Sequence, residues 1–257
     1  MKDYFDINGK VAFVTGGSRG IGKMVAKAYV AAGVRVYISS RNTDKCVAVA
    51  KELTEFGECK AIPADLSKLA EVRRVGDFIC SQEKRVHILV NNAGTAWGER
   101  LDIFPEKGWN KVFDLNLKSP FFLTQEFLSL LENGAQKDDP ARIINIGSID
   151  GMHSPLYENY SYASAKSALH HLTKLISERL ACKKINACAI APGYFDTDMT
   201  VSLVQTYGLD KLLSIVPQKR LGSESDIEGV AVFLASRASA YINGIVLPVD
   251  GGITGGL

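Results

Sequence analysis

No run of apolar residues in this 257-residue chain approaches the ~18 that a membrane-spanning helix needs. The opening stretch MKDYFDINGK has no apolar core of the kind a secretory signal carries, so the expected location is cytoplasmic. The five cysteines (Cys46, Cys59, Cys80, Cys182, Cys188) include no C-x-x-C pair, and no metal site is expected. An odd cysteine count in a chain of this length also argues against a disulfide framework and for reduced, mostly buried thiols. Charge of one sign is missing as well. The 30 basic and 28 acidic residues are mixed throughout and leave a net charge of +2, with no basic stripe for nucleic acid or an anionic membrane. No linker, repeat or low-complexity tract interrupts the chain, so residues 1–257 read as one domain.

What is present is enough for a large core: 46% of residues are hydrophobic and 23% charged. Short β-branched runs alternate with longer helical patterns. KVAFVTGG, VRVYISS, CKAIPADLS, VHILVNNAG, ARIINIGS, INACAIAPG and GIVLPVDGG read as strands, apolar on both faces as in a parallel sheet covered by helices. Residues 105–131 read as helix, broken or bent near Pro120, and the next helix runs from Tyr162 to about Leu180. Seven strands with helices between them predict an α/β, doubly wound parallel sheet of the Rossmann type. The nucleotide-binding half is expected over about 1–140, the catalytic and substrate half over about 141–257, and a lid over about 194–222.

TGGSRGIG follows the first strand and opens the first helix. Gly16, Gly20 and Gly22 permit a tight turn and a close backbone approach to a pyrophosphate, and the helix start offers free N–H groups. The second strand ends in ISSRN and lacks the carboxylate that would bind an NAD ribose. Arg41, with Arg19 from the glycine turn, suits a ribose 2′-phosphate instead, which favours NADP(H). Asp65 in ADLS either caps the following helix or accepts a bond from the adenine amino group. In NNAG, the asparagines either tie neighbouring strands together or touch the ligand, and Gly94 lets the backbone approach the cofactor.

YSYASAK raises the question of chemistry. On a helix, Tyr162 and Lys166 share a face one turn apart. A lysine beside a phenol favours the phenolate and lowers its pKa, which suits proton exchange near neutral pH. The alternative is a packed tyrosine with a solvated lysine.

TGGSRGIG, ADLS, NNAG, DLNLKS, INIGS, YASAK, APGYFDTDM and PVDGG, in this order, resemble the short-chain dehydrogenase/reductase family across essentially the whole chain. GECKAIPADLS and NNAGTAWGE look closest to its 3-oxoacyl reductases of the rhamnolipid-biosynthesis type. The resemblance implies a catalytic set of Asn116, Ser148, Tyr162 and Lys166. Tyr157 and Tyr160 drop out because serines, Ser161 and Ser164, stand four residues after them. Tyr162 would donate the proton, Ser148 would hold the substrate oxygen, Lys166 would tune Tyr162 and hold the nicotinamide ribose, and Asn116 would support a relay water. The resemblance extends the cofactor contacts to Ser18, Ile21, Leu66, Asn92 and Ala93, and places Pro192, Gly193, Phe195 and Thr197 beside the nicotinamide.

Candidate pocket residues are Trp97, Met152, His153, Tyr157 and Tyr194, a set that suits an acyl chain or a compact ketone. The expected activity is NADPH-dependent reduction of a carbonyl substrate, a 3-oxoacyl thioester carried on acyl carrier protein or CoA. Lys219 and Arg220 are candidates to meet an acidic carrier. A sugar, polyol or small-ketone dehydrogenase is the alternative enzyme, and a non-catalytic NADP-binding sensor the alternative outside enzymes. The intact catalytic set favours an enzyme. Family members are commonly tetramers, so a homotetramer is expected, with 105–131 and 162–180 at its interface.

Overall fold

The computed structural model describes residues 3–155 and 157–255. Seven strands form one parallel sheet: β1 Val11–Thr15, β2 Arg35–Ser39, β3 Cys59–Ala61, β4 Ile88–Asn91, β5 Ala141–Ile146, β6 Ile185–Pro192 and β7 Val246–Val249. Their spatial order is β3-β2-β1-β4-β5-β6-β7. The chain reverses direction across the sheet between β3 and β4, which opens a crevice at the carboxyl ends of β1 and β4. This is the doubly wound Rossmann-type architecture expected from the alternating pattern.

Alternate residues of each strand feed two apolar layers. Ala12, Val14, Val36, Ile38, Val90 and Ile144 face α1 (Gly20–Ala31), α2 (Thr43–Leu53) and α10 (Glu224–Ala235). Val11, Phe13, Tyr37, Leu89, Ile143 and Ala187 face the other way, toward α3 (Leu69–Gln82), α5 (Ser119–Glu126) and α7 (Tyr160–Leu180). A strand buried on both sides needs no polar face, which explains the near-continuous apolar runs.

The helical stretch 105–131 differs from the simple bend expected near Pro120. It divides into α4 (Glu106–Phe113), a π-helical turn (Asp114–Lys118), α5, and α6 (Leu128–Gly134). Pro120 sits in the first turn of α5, directly after the π turn. The disruption falls instead on the π turn, whose widened ring places Asn116 inward. Between β6 and α10 lie two shorter helices, α8 (Asp198–Tyr207) and α9 (Leu209–Ser214). This excursion starts and ends at one neck, where Phe195 pairs with Gly222 and the Gly222 N–H donates to the Tyr194 carbonyl at 2.8 Å. Among the described residues, no helix is long and apolar enough to cross a membrane.

At the amino end of the sheet, His87 Nδ1 accepts the Val11 N–H at 2.9 Å. Burial, then the charges of Lys10 and Arg85, hold its pKa down at about 4. His170 is likewise held at about 4 by burial. An unfolded histidine near 6.5 binds a proton that these folded histidines refuse until about 4. Their contribution is therefore present above pH 6.5 and is lost as pH falls toward 4. Urea denaturation between pH 4 and 7 is expected to show stability rising with pH, and His87→Asn to flatten that rise by up to about 1.4 kcal/mol per pH unit.

Candidate active site

The carboxyl ends of β1 and β4 are locked together by one hydroxyl. Thr15 Oγ1 accepts the N–H groups of Asn92 (2.9 Å) and Ala93 (2.8 Å) and donates to the Val90 carbonyl. Asn92 Nδ2 returns two bonds, to the carbonyls of Thr15 (2.8 Å) and Gly16 (3.2 Å). Gly16 takes a φ of +67°, and a Cβ there would lie 2.7 Å from Asn92 Nδ2. A Cβ on Gly22 would lie 2.5 Å from the Gly16 carbonyl oxygen. Glycine is thus required where the turn folds against the NNAG loop.

The first turn of α1 carries no side-chain cap and no acidic residue, so its N–H groups stay available to an anion. Ser18 is buried beside it and Ile21 half-buried. Thr197 closes on the same turn, its methyl 3.4 Å from the Cβ direction of Gly20. Arg19 extends outward and pairs with Asp198 at the start of α8 (3.1 Å), with both groups solvent-exposed. A glycine cradle, an uncapped helix start and the exposed Arg19 guanidinium form a donor set that fits a dinucleotide carrying a phosphate.

Arg41 is exposed and lines a cavity of about 550 Å³ with Ser67, Thr95, Asn110 and Lys111. Asp65 stands next to it. Its carboxylate accepts the Ser67 hydroxyl at 2.8 Å, in the turn before α3, whose cap is Lys68 rather than Asp65. The side chain of Leu66 is in the core, as is that of Phe195, so each leaves only its backbone for a ligand. Pro192 ends β6, and Gly193 packs against Asp250, 2.8 Å from the Asp250 Cα in its Cβ direction.

Asn91 does tie strands: its Nδ2 donates to Asn145 Oδ1 (2.8 Å). Asn145 in turn donates to Thr173 Oγ1 on α7 (2.8 Å). This chain, with Asn145 and Thr173 absent from the sequence reading, fixes α7 against β5. Along α7, Tyr162, Lys166, His170 and Thr173 fall on one buried stripe. Lys166 Nζ donates to the Ile146 carbonyl at 2.6 Å and lies 5.6 Å from the Tyr162 ring centroid. Gly94 meets both neighbours: its Cβ direction points 3.5 Å from Asn116 Oδ1 and 3.7 Å from Lys166 Nζ. Asn116 spends its amide on Thr95, accepting the N–H at 2.9 Å and donating to the carbonyl at 3.0 Å.

Ser148 Oγ accepts the Asp150 N–H at 3.1 Å, which leaves the hydroxyl proton free to point at a ligand. Its own N–H donates to His170 Nε2 at 3.4 Å. The structure therefore brings Asn116, Ser148, Tyr162 and Lys166 together at the ends of β4 and β5. Burial lowers the Lys166 pKa to about 8, with the Asp150 charge opposing. Burial also raises the Tyr162 phenol, and Asp150 adds to that while Ser148 opposes. The sequence argument has lysine lowering the phenol. In this protein burial is the largest influence on the phenol and raises it.

Around this centre, Trp97 rests on Gly108 beneath Lys111 and joins the small cluster that holds Tyr162. Tyr157 donates its hydroxyl to Asp150 Oδ2 at 2.9 Å and faces Tyr207 of α8 across 6.0 Å. Tyr194 is buried in the apolar cluster of α9 with Leu212 and Val216. Met152 is exposed, and His153 keeps its Nδ1 on the Ser154 carbonyl. The basic pair has partners inside the chain: Lys219 donates to the Ser214 carbonyl and Arg220 grips Asp226 with two bonds of 2.6 and 2.9 Å. Asp150 and His170 were missed by sequence reasoning. The signals were an acid inside the apolar run IINIGSIDG and a histidine four residues beyond Lys166.

Residues 10–208 match the family model described as short chain dehydrogenase. The chain is 42% identical to the rhamnolipids biosynthesis 3-oxoacyl-[acyl-carrier-protein] reductase of Pseudomonas aeruginosa, over 98% of this chain and 99% of that one. It is 35% identical to the 2-dehydro-3-deoxy-D-gluconate 5-dehydrogenase of Bacillus subtilis, over 98% of this chain and 97% of the other. Among solved structures it superposes on the Pseudomonas aeruginosa RhlG/NADP active-site complex with a TM-score of 0.94 and 41% identity, covering 98% of this chain and 99% of that chain.

Gly22→Ala is expected to push the first turn of α1 away from Gly16 and Asn92. Dinucleotide affinity should fall at least roughly tenfold, with a stability loss of about 1–3 kcal/mol. Fluorescence titration with NADPH and urea denaturation measure the two effects.

Proposed function

The chain belongs to the short-chain dehydrogenase/reductase family, oxidoreductases acting on CH–OH and C=O groups, and from that membership we propose that it is an NADPH-dependent carbonyl reductase whose substrate is a 3-oxoacyl thioester. The observation that carries the reaction type is the convergence of a hydroxyl free to donate, on Ser148, with a buried phenol and a buried ammonium on one stripe of α7. Support for the substrate class comes from the 42% identical reductase and from the apolar and aromatic residues around the centre.

In this reading Gly16, Ser18, Gly20, Ile21 and Gly22 hold the pyrophosphate. Arg41 and Arg19 hold the 2′-phosphate, and Asp65 and Leu66 meet the adenine. Asn92, Ala93 and Gly94 support the dinucleotide from β4, while Pro192, Gly193, Phe195 and Thr197 flank the nicotinamide. Residues up to about 140 thus form the nucleotide-binding half, and 141–257 the catalytic and substrate half, which also flanks the nicotinamide. When bound, NADPH supplies the hydride.

The chain's own residues do the rest. Ser148 donates a hydrogen bond to the carbonyl oxygen and fixes its position as negative charge grows there. Tyr162 gives that oxygen its proton. The phenol is protonated at neutral pH, the state a donor in the reducing direction needs. Lys166 holds positive charge beside the phenol and meets the ribose. Asn116, clamped by Thr95, shapes the π turn behind Lys166 and supports the water that returns protons.

Oxidation of NADPH with a short 3-oxoacyl thioester, against NADH and a panel of ketones, tests the proposal. Fast turnover of the thioester with NADPH is expected, and turnover confined to other ketones or to NADH would overturn it. Tyr162→Phe is expected to cut turnover by roughly 10²–10⁴-fold while NADPH binding is essentially retained. The ammonium form of Lys166 is lost as pH rises through about 8. The kcat/KM for reduction should therefore be level below that pH and fall above it, as a pH–rate profile would record.

A further inference from the structure

Among the described residues, Asp150 is the only aspartate or glutamate withdrawn from solvent, 4% exposed. It stands two residues after Ser148, and its N–H is the bond that orients the Ser148 hydroxyl. Its Oδ2 accepts two bonds of 2.9 Å, from the Tyr157 hydroxyl and from Asn159 Nδ2. Asn159 in turn is the residue that leads into α7, so this carboxylate stitches the segment after Ser148 to the start of the helix that carries Tyr162. None of the ion pairs formed by the described residues includes Asp150.

Burial raises the Asp150 carboxyl above the usual range, while the bonds from Tyr157 and Asn159 and the charge of Lys166 favour the carboxylate, whose charge acts on its neighbours with little solvent to screen it. The bonds of Asp150 place it beside the centre, since Tyr157 faces Tyr207 of α8 and Asn159 leads into the helix of Tyr162. Its field adds to the raised phenols of Tyr162, Tyr157 and Tyr194, and it helps keep Lys166 charged. These come from both sides of the centre: α7, the segment after Ser148, and the neck of the α8–α9 excursion.

The substrates named for two relatives differ in charge near the reacting carbon. A 3-oxoacyl thioester is neutral around its reacting carbonyl, whereas a keto sugar acid carries a carboxylate a few bonds away. We propose that Asp150 is a specificity-determining residue: its negative charge, held by Tyr157 and Asn159 beside Ser148, excludes substrates that carry a carboxylate near the reacting carbonyl and leaves neutral ketones and 3-oxo esters or thioesters. The proposal rests on the reading above for where the carbonyl binds, and makes the substrate class of that site a matter of charge.

Matched neutral and anionic probes test it. Ethyl acetoacetate and acetoacetate form one pair, methyl 4-oxocyclohexanecarboxylate and its free acid a second pair outside the acyl class. Each is read by kcat/KM with NADPH and by binding to the enzyme–NADPH complex. The unaltered enzyme is expected to prefer the ester in both pairs. Asp150→Asn keeps acceptors for Tyr157 and Asn159 but removes the charge, and should narrow the ester-to-acid ratio roughly tenfold, about 1.4 kcal/mol, chiefly by improving the acid. Tyr157→Phe removes one hydrogen bond and leaves the charge, so the ratio should hold whatever happens to the absolute rate. Melting temperature and NADPH affinity check that both variants are folded. A ratio unmoved by Asp150→Asn, or moved equally by Tyr157→Phe, would overturn the proposal. If the acetoacetyl pair is refused while the second pair keeps its Asp150-dependent preference, the 3-oxoacyl reading fails and the role of Asp150 stands.

Discussion

An ammonium group withdrawn from water must find acceptors inside the protein, and Lys166 reaches one directly, the carbonyl of Ile146 at the end of β5. That single bond links the chemistry to the sheet. It requires α7 to cross β5 at a fixed height, which the Asn91–Asn145–Thr173 chain enforces. It also requires the neighbouring strand end to stay small, so that Gly94 and the Asn116 amide approach the same ammonium. Tyr162 and Ser148 inherit their positions from this arrangement, one from the helix and the other from the strand. The cost of burying the charge appears in the depressed Lys166 pKa.

The fold was legible because its signals are local. A strand buried on both faces is apolar throughout, and a glycine turn between strand and helix has few other uses. The meeting of Gly16, Gly22 and Asn92 follows from strand order, once β1 and β4 are neighbours. The division of 105–131 was only half legible. Proline draws attention to position 120, yet the helix is interrupted earlier, at a π turn whose purpose is to turn Asn116 inward. No propensity marks such a turn, because the residue it serves is set by a distant strand.

The details of the site were hidden for the same reason. That Arg19 meets Asp198, or that His170 receives the Ser148 N–H, depends on contacts between segments far apart in sequence. The spacing of Tyr162 and Lys166 was read correctly as one face of a helix. The direction of the phenol's pKa was not, because burial has no signature in spacing. Asp150 shows the limit most plainly. In the sequence it is one acid after a strand, and only the fold withdraws it from water between Tyr157 and Asn159.

The pairing of Phe195 with Gly222 closes the α8–α9 excursion at its base before the chain enters α10. A loop whose ends are already joined loses little by changing length, since each doubling costs only about 0.6 kcal/mol of closure entropy. Beyond Thr197 and Asp198, which touch the glycine turn, the excursion can therefore change length at little cost. The neck marks a boundary in this molecule: the machinery on β1, β4, β5 and α7 is held by its own bonds, while the segment beyond Asp198 can be reshaped around whatever molecule the pocket must admit.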